Sequence, residues 1–167
     1  YTIEEVGTAA KYVTPAKQNV TVKWNESVGV SFHNKLKRGD VKVIKSAEDS
    51  FIEGHRFHLY GTSVAGTGVD IYAVTNRHGI AEFKDVLIGT YTVEEVDTAE
   101  QYITPVSQSV TIEWDSVTEK SFENELKRGN VKVTKTSEDG LVSGVKFRLY
   151  GTSTSGAAVE MFATTNG

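Results

Sequence analysis

Lys45, Glu95 and Asn124 are the residues of this chain whose types and setting could do chemistry. Each closes a row of alternating residues that is otherwise apolar: Val41, Val43, Lys45; then Tyr91, Val93, Glu95; then Phe122, Asn124. In a strand, side chains two positions apart share a face, so a row that points Val and Tyr inward points its polar end inward too. A Lys, a Glu and an Asn facing a core are costly unless they meet. If they meet, burial disfavours both charges, lowering the pKa of the Lys and raising that of the Glu. An uncharged amine is a nucleophile, and a protonated carboxyl can donate to the Asn side-chain carbonyl and shuttle a proton. The product is a Lys–Asn isopeptide bond, with loss of ammonia. The plainer alternatives are a surface Lys ending an edge strand, Glu94 in place of Glu95, and a turn-forming Asn.

The same three residues occur twice, because the chain repeats itself every 90 positions. Tyr1 recurs as Tyr91, Pro15 as Pro105, Lys37-Arg38-Gly39 as Lys127-Arg128-Gly129, and Leu59-Tyr60-Gly61 as Leu149-Tyr150-Gly151. About half of the overlapping positions are identical, and the counterparts of Lys45, Glu95 and Asn124 are Lys135, Glu5 and Asn34. A period this long suits an array of separately folded domains better than a solenoid. The charged, Gly-containing stretches Lys35–Asp40 and Glu125–Asn130 read as loops at domain junctions. Residues 1–39 are then the C-terminal part of one repeat, 40–129 a complete repeat and 130–167 the N-terminal part of a third. On this reading the window holds one complete centre and two half-sites. Lys135 of one chain could also meet Glu5 and Asn34 of another.

The elements that must position these residues are short alternating strands separated by turns. Strand-like runs are Val41–Lys45, Arg56–Tyr60, Val69–Thr75, Ile80–Phe83, Tyr91–Glu95, Val110–Trp114 and Thr118–Asn124, with a turn at Glu48-Asp49-Ser50. With no helical period between them, the pattern predicts an all-β fold of tandem Ig-like sandwiches.

These strands resemble the CnaB-like (SpaA-type) isopeptide-forming domains of Gram-positive surface adhesins and pilins, which share a prealbumin-like β-sandwich. The resemblance rests on "VKVIKSAED" at 41–49 and "VKVTKTSEDG" at 131–140, like the family's first strand with its reactive Lys. "GTYTVEEV" at 89–96 and "YTIEEV" at 1–6 are similar to its Glu box, and "SFEN" at 121–124 and "SFHN" at 31–34 to its last strand. The resemblance implies Lys45 as nucleophile, Asn124 as acceptor and Glu95 as catalytic acid/base, with Glu5, Lys135 and Asn34 as their counterparts. Alternation selects the same residues. It also implies a stalk or fibre on the wall-attached, extracellular surface of a Gram-positive bacterium, with neighbouring repeats as partners. The alternative is an adhesion module whose repeats bind a host protein or glycan. Two departures from the family pattern stand out. Tyr102 is kept without the usual Gly after the Glu box, and the "GA.F.L" strand becomes "GHRFHLY" at 54–60. Both are expected to lie away from the three residues.

Composition narrows the remaining classes. The chain of 167 residues has a net charge of −4 with mixed signs, which argues against nucleic acid as a partner. No apolar run approaches a membrane span, so no membrane contact is expected within this segment. Cysteine is absent, so an exported array must be stabilised by something other than disulfides. His33, His55 and His58 become Glu123, Val145 and Arg148 in the other copy, so no shared metal site and no cofactor are expected. Arg38-Gly39-Asp40 spells an integrin-binding tripeptide, but at a junction it reads as a turn. Trp24 and Trp114 recur and are expected in a core or at its rim.

Overall fold

The computed structural model of the protein describes residues 1–166. Fourteen strands and no helix make up the described residues. In chain order they are β1 (Thr2–Ile3), β2 (Tyr12–Val13), β3 (Gln18–Asn19), β4 (Lys35–Leu36), β5 (Arg38–Ala47), β6 (Arg56–Ser63) and β7 (Gly68–Val74). There follow β8 (Ile80–Leu87), β9 (Gly89–Val96), β10 (Tyr102–Ile103), β11 (Gln108–Ile112), β12 (Val117–Leu126), β13 (Lys146–Thr152) and β14 (Ala158–Thr164).

Strands β5 to β12 form two four-stranded sheets, ordered β10-β12-β5-β8 and β11-β9-β6-β7. Period-2 alternation is what lets them close on each other. In β5, Gly39, Val41, Val43 and Lys45 are buried, and in β9, Gly89, Tyr91, Val93 and Glu95 are. Their apolar members meet Phe57 and Leu59 of β6, Phe83 of β8, Val110 and Ile112 of β11 and Phe122 of β12 in one core. The Phe57 and Phe122 rings pack 5.0 Å apart at 57°, joining the two sheets.

All neighbouring strands pair antiparallel except β5 and β12, the first and last of the unit, which run parallel. Phe122 lies opposite Lys45 and Asn124 opposite Ala47. Lys45 and Asn124 therefore share the inner face of adjacent strands, one diagonal step apart.

The flanking segments carry shorter pairings in the same register, 90 positions away. Thr2 pairs with Asn19 as Thr92 pairs with Ser109, and Tyr12 with Leu36 as Tyr102 with Leu126. The β13–β14 hairpin likewise repeats β6–β7, with Leu149 opposite Met161 as Leu59 is opposite Ile71.

Two local expectations, the loop at Lys35–Asp40 and the burial of Trp24, need correction. Lys35–Asp40 is not a loop: Lys35–Leu36 is β4, and β5 already begins at Arg38. The backbone N–H of Lys37 donates to Lys11 O, and Lys37 O accepts from Ile88 N–H, so hydrogen bonds hold both flanks of this connection. Trp114 lies beyond the end of β11 and is 53% exposed, with the Lys37 Nζ over its ring at 5.2 Å. Trp24 is 93% exposed, so neither tryptophan belongs to the core.

Candidate functional site

The site lies at one end of the sandwich, where the inward rows of β5, β9 and β12 finish. Lys45 reaches it from β5, Asn124 from β12 beside it, and Glu95 from β9 in the facing sheet. All three are buried: Lys45 is 3% exposed, Glu95 5% and Asn124 0%. The Lys45 Nζ stands 3.9 Å from Glu95 Oε2, and Asn124 Nδ2 donates to Glu95 Oε1 at 2.9 Å. The Lys45 ammonium also donates to the Ser46 carbonyl.

Burial pushes the Lys45 amine below its ordinary pKa, with the charges of Glu95, Asp49 and Glu123 pulling it partly back. Two oxygens in the site are buried without a hydrogen-bond partner, Glu95 Oε2 and Asn124 Oδ1. A buried oxygen left unpaired is costly. Turning the carboxamide half a revolution would set Oδ1 against Oε1, where only a protonated carboxyl could satisfy it. The arrangement thus offers an amine biased toward its neutral form, an amide one diagonal step away on the adjacent strand, and a carboxyl in reach of both that can carry a proton.

A fourth residue is in direct contact with this group. His55, just before β6, directs Nδ1 at Glu95 Oε1, 2.9 Å away, while its Nε2 lies 2.9 Å from the Phe51 carbonyl oxygen. Its backbone is pinned by Thr75, whose hydroxyl accepts from the His55 N–H and whose own N–H donates to the His55 carbonyl, both at 2.9 Å. The "GHRFHLY" departure therefore does touch the three residues, contrary to the expectation above. The signal was in the sequence: an inward position that is usually Ala carries an imidazole. Comparison of the two copies hid it, since the counterpart is Val145.

Tyr102 of β10 closes the outer side. Its hydroxyl donates to Asp49 Oδ2 at 2.7 Å, and its ring centroid lies 6.1 Å from that of His55. Burial and the neighbouring Asp49 carboxylate push the phenol up to about 12.

In the N-terminal flank, Asn34 Nδ2 donates to Glu5 Oε1 at 2.8 Å, the same contact as Asn124 to Glu95. In the C-terminal flank, the Lys135 ammonium donates to the Thr136 carbonyl, as Lys45 does to Ser46. Lys135 has no such contact with Glu5 or Asn34. His58 lies on the outer face, stacked on Tyr60 and Tyr72, and holds Asp70 at 2.9 Å. Among the described residues no group of three His, Cys, Asp or Glu is placed to hold a metal ion.

A family profile described as SpaA, prealbumin-like fold domain, matches residues 39–126, which contain Lys45, Glu95 and Asn124. No curated protein sequence matches. Among solved structures, the chain is similar to the Bacillus anthracis TIE protein, at 20% identity and a TM-score of 0.54, covering 80% of this chain and 25% of that one. It is also similar to GBS52, the minor pilin of Streptococcus agalactiae, at 19% identity and TM-score 0.47, covering 61% and 51%. A third similarity is to the major pilin SpaD from Corynebacterium diphtheriae, at 17% identity and TM-score 0.45, covering 54% and 30%. The chain thus spans about a quarter of the first of these proteins and about half of the second. With a two-sheet sandwich and a family match over more than half its length, the chain belongs to the SpaA family of prealbumin-like fold domains.

Proposed function

We propose that residues 40–129 form a stalk module of a Gram-positive surface protein, locked by a self-formed amide bond between Lys45 and Asn124. The observation that carries this reading is the shared Glu95 carboxylate. One of its oxygens lies 3.9 Å from the Lys45 nitrogen, the other holds the Asn124 amide, and all of it is out of solvent. Glu95 is the proton carrier, and the domain is catalyst and substrate in a single turnover rather than an enzyme. Residues 1–39 and 130–167 are read as parts of further repeats, with Glu5, Asn34 and Lys135 as half-sites of the same chemistry.

The topology supports a mechanical role. Because β5 and β12 are parallel neighbours, a pull on the two ends of the unit shears them past each other. A bond from Lys45 to Asn124 would carry that load directly and shield everything between. Without it, those 79 positions could extend to roughly 260 Å. A crosslink closing so long a loop stabilises by about 4–5 kcal/mol on the chain-entropy view. In a chain without cysteine, it supplies a staple that reductants cannot open.

Intact mass under denaturing conditions tests the reading. The expected result is a chain lighter by one ammonia, with the deficit removed by Lys45→Ala. A full-mass chain would sink it. Attachment to a bacterial wall and neighbouring subunits as partners follow from the pilins this fold resembles, and belong to the same proposal.

A second reading, that the repeats also bind a host protein or glycan, has one observation in its favour. The outer face of β6–β7 carries Arg56 over Tyr72 at 4.1 Å and Tyr72 stacked on His58 at 4.4 Å. The β13–β14 hairpin repeats the theme with Lys146 over Phe162 and Arg148 over Tyr150, each at 4.6 Å. Loss of binding to immobilised glycans or matrix proteins in Tyr72→Ala would support it. No binding by the unaltered chain would end it.

A further inference from the structure

His55 contacts Glu95 more closely than Lys45 does, and its two ring nitrogens constrain each other. The Phe51 carbonyl can only accept, so Nε2 at 2.9 Å from it must carry a hydrogen. A neutral imidazole protonated at Nε2 presents a bare lone pair at Nδ1. That lone pair would face Glu95 Oε1 at 2.9 Å, and two lone pairs repel at that distance. A proton must therefore lie between Nδ1 and Oε1, on one atom or the other. If it does, the His55–Glu95 pair is already neutral as a whole. The carboxylate then has no uncompensated charge with which to hold Lys45 as an ammonium, and the hydrogen bond that Lys45 makes, to the Ser46 carbonyl, is one that a neutral amine can also donate.

We propose that His55 is a positioning residue of the bond-forming centre: tied through Nε2 to Phe51, it keeps one proton on the Nδ1–Oε1 contact with Glu95 and thereby leaves the buried Lys45 amine neutral and nucleophilic. This rests on the isopeptide reading above. The step balances without any outside reactant. Once the Asn124 carboxamide has turned to set Oδ1 against Oε1, the shared proton moves onto Glu95, which donates to Asn124 Oδ1 as the Lys45 Nζ lone pair forms the new bond to the Asn124 amide carbon. The carboxylate accepts a proton from the attacking nitrogen and delivers it to Nδ2. The carbon–Nδ2 bond breaks, ammonia leaves, and the proton on the His55–Glu95 pair is restored. The titratable groups facing His55 are Glu95 from β9, Lys45 from β5 beyond that carboxylate, Asp49 from the turn after β5, and Tyr102 from β10, itself bonded to Asp49.

The test uses the full chain, recovered unreacted from inclusion bodies and diluted from denaturant into buffers from acid to alkaline pH. Ammonia loss is followed by mass, and circular dichroism checks refolding. His55→Gln retains a donor to the carboxylate but no titratable proton. It is expected to slow bond formation at least about tenfold at neutral pH, with a residual rate that climbs as pH rises. His55→Gln reacting at the unaltered rate, or slowed uniformly with an unchanged pH profile, would overturn the proposal. If His55→Gln does not refold, nitrogen NMR of the Lys45→Ala chain decides instead. Protonated Nε2 with Nδ1 in a proton-sharing contact is expected, and a bare Nε2 would overturn it. Failure of the unaltered chain to lose ammonia at any pH is a distinct result, which removes the isopeptide reading itself.

Discussion

The Lys45 nitrogen lies 3.9 Å from Glu95 Oε2, with both side chains entirely out of solvent and that oxygen without a hydrogen bond. A buried ion pair repays its desolvation only when its geometry is tight and its remaining lone pairs are filled. Here neither condition is met, so the pair is poor as a structural salt bridge. For the proposed roles of nucleophile and proton carrier the same spacing is useful, because the amine is not locked to the carboxylate. Glu95→Gln keeps the shape and the Asn124 contact but cannot carry the proton. The expected outcome is a folded chain of full mass, with no ammonia lost, seen in intact mass and circular dichroism together.

Stability should report the crosslink as a shared property of two residues. If the proposed bond forms, Lys45→Met and Asn124→Ala each remove the whole of it, so each should lose about 4–5 kcal/mol from the crosslink alone. The double variant should then cost far less than the sum of the two, because the second substitution has no bond left to break. Denaturant unfolding of the three variants measures this. Additive losses would mean that Lys45 and Asn124 stabilise the fold separately.

Much of this site was legible because alternation needs only the strand period. Val41-x-Val43-x-Lys45 and Tyr91-x-Val93-x-Glu95 stay in phase through their last residue, and the burial follows them. Non-local pairing was not legible. Nothing in the spacing of Lys45 and Asn124 says that β5 and β12 run side by side in parallel, one diagonal step apart. His55 was missed for another physical reason. It is in phase with the buried Phe57 and Leu59 but just outside the run read as a strand. Its counterpart Val145 removed it from the residues shared by the two copies; hydrogen bonds to Thr75 far along the chain hold it in place. Trp24, 93% exposed, was misjudged, and Trp114 falls outside the core because a large apolar ring beside a strand end can serve a connection, as Lys37 over Trp114 shows.

Tyr102 makes a pH-dependent contribution whose sign can be worked out. Its folded phenol is raised from 10.0 to about 12, so the proton is held more tightly in the folded state. Stability from this group is fully present below pH 10 and is lost as pH rises from about 10 to about 12. The shift corresponds to about 2–3 kcal/mol. Tyr102→Phe lacks the ionisable group and the bond to Asp49, so it should be less stable than the unaltered chain at neutral pH. Its further loss on going from pH 10 to pH 12 should be smaller by about that amount. Urea unfolding at the two pH values gives the comparison, and parallel alkaline losses would refute it.

The Arg38-Gly39-Asp40 tripeptide can be judged by what its own residues hold. Arg38 donates to the Asp85 carbonyl at 2.6 Å, and Asp40 Oδ1 accepts the Asp85 N–H at 2.9 Å. Gly39 between them is buried in β5, where a Cβ would stand 2.2 Å from the Glu113 carbonyl oxygen and 3.0 Å from that of Ser116. Both obstacles are backbone, so neither can swing aside as a side chain would. The repeat provides the control, since Gly129 has no atom within 4 Å of the same added carbon. Gly39→Ala should therefore destabilise by about 2–3 kcal/mol through overpacking, while Gly129→Ala should change stability by no more than about 0.5 kcal/mol. Equal effects in thermal unfolding would mean that the glycine serves a turn at both junctions. Unequal effects would mean that Gly39 is there to let β5 pass beneath the β11–β12 connection.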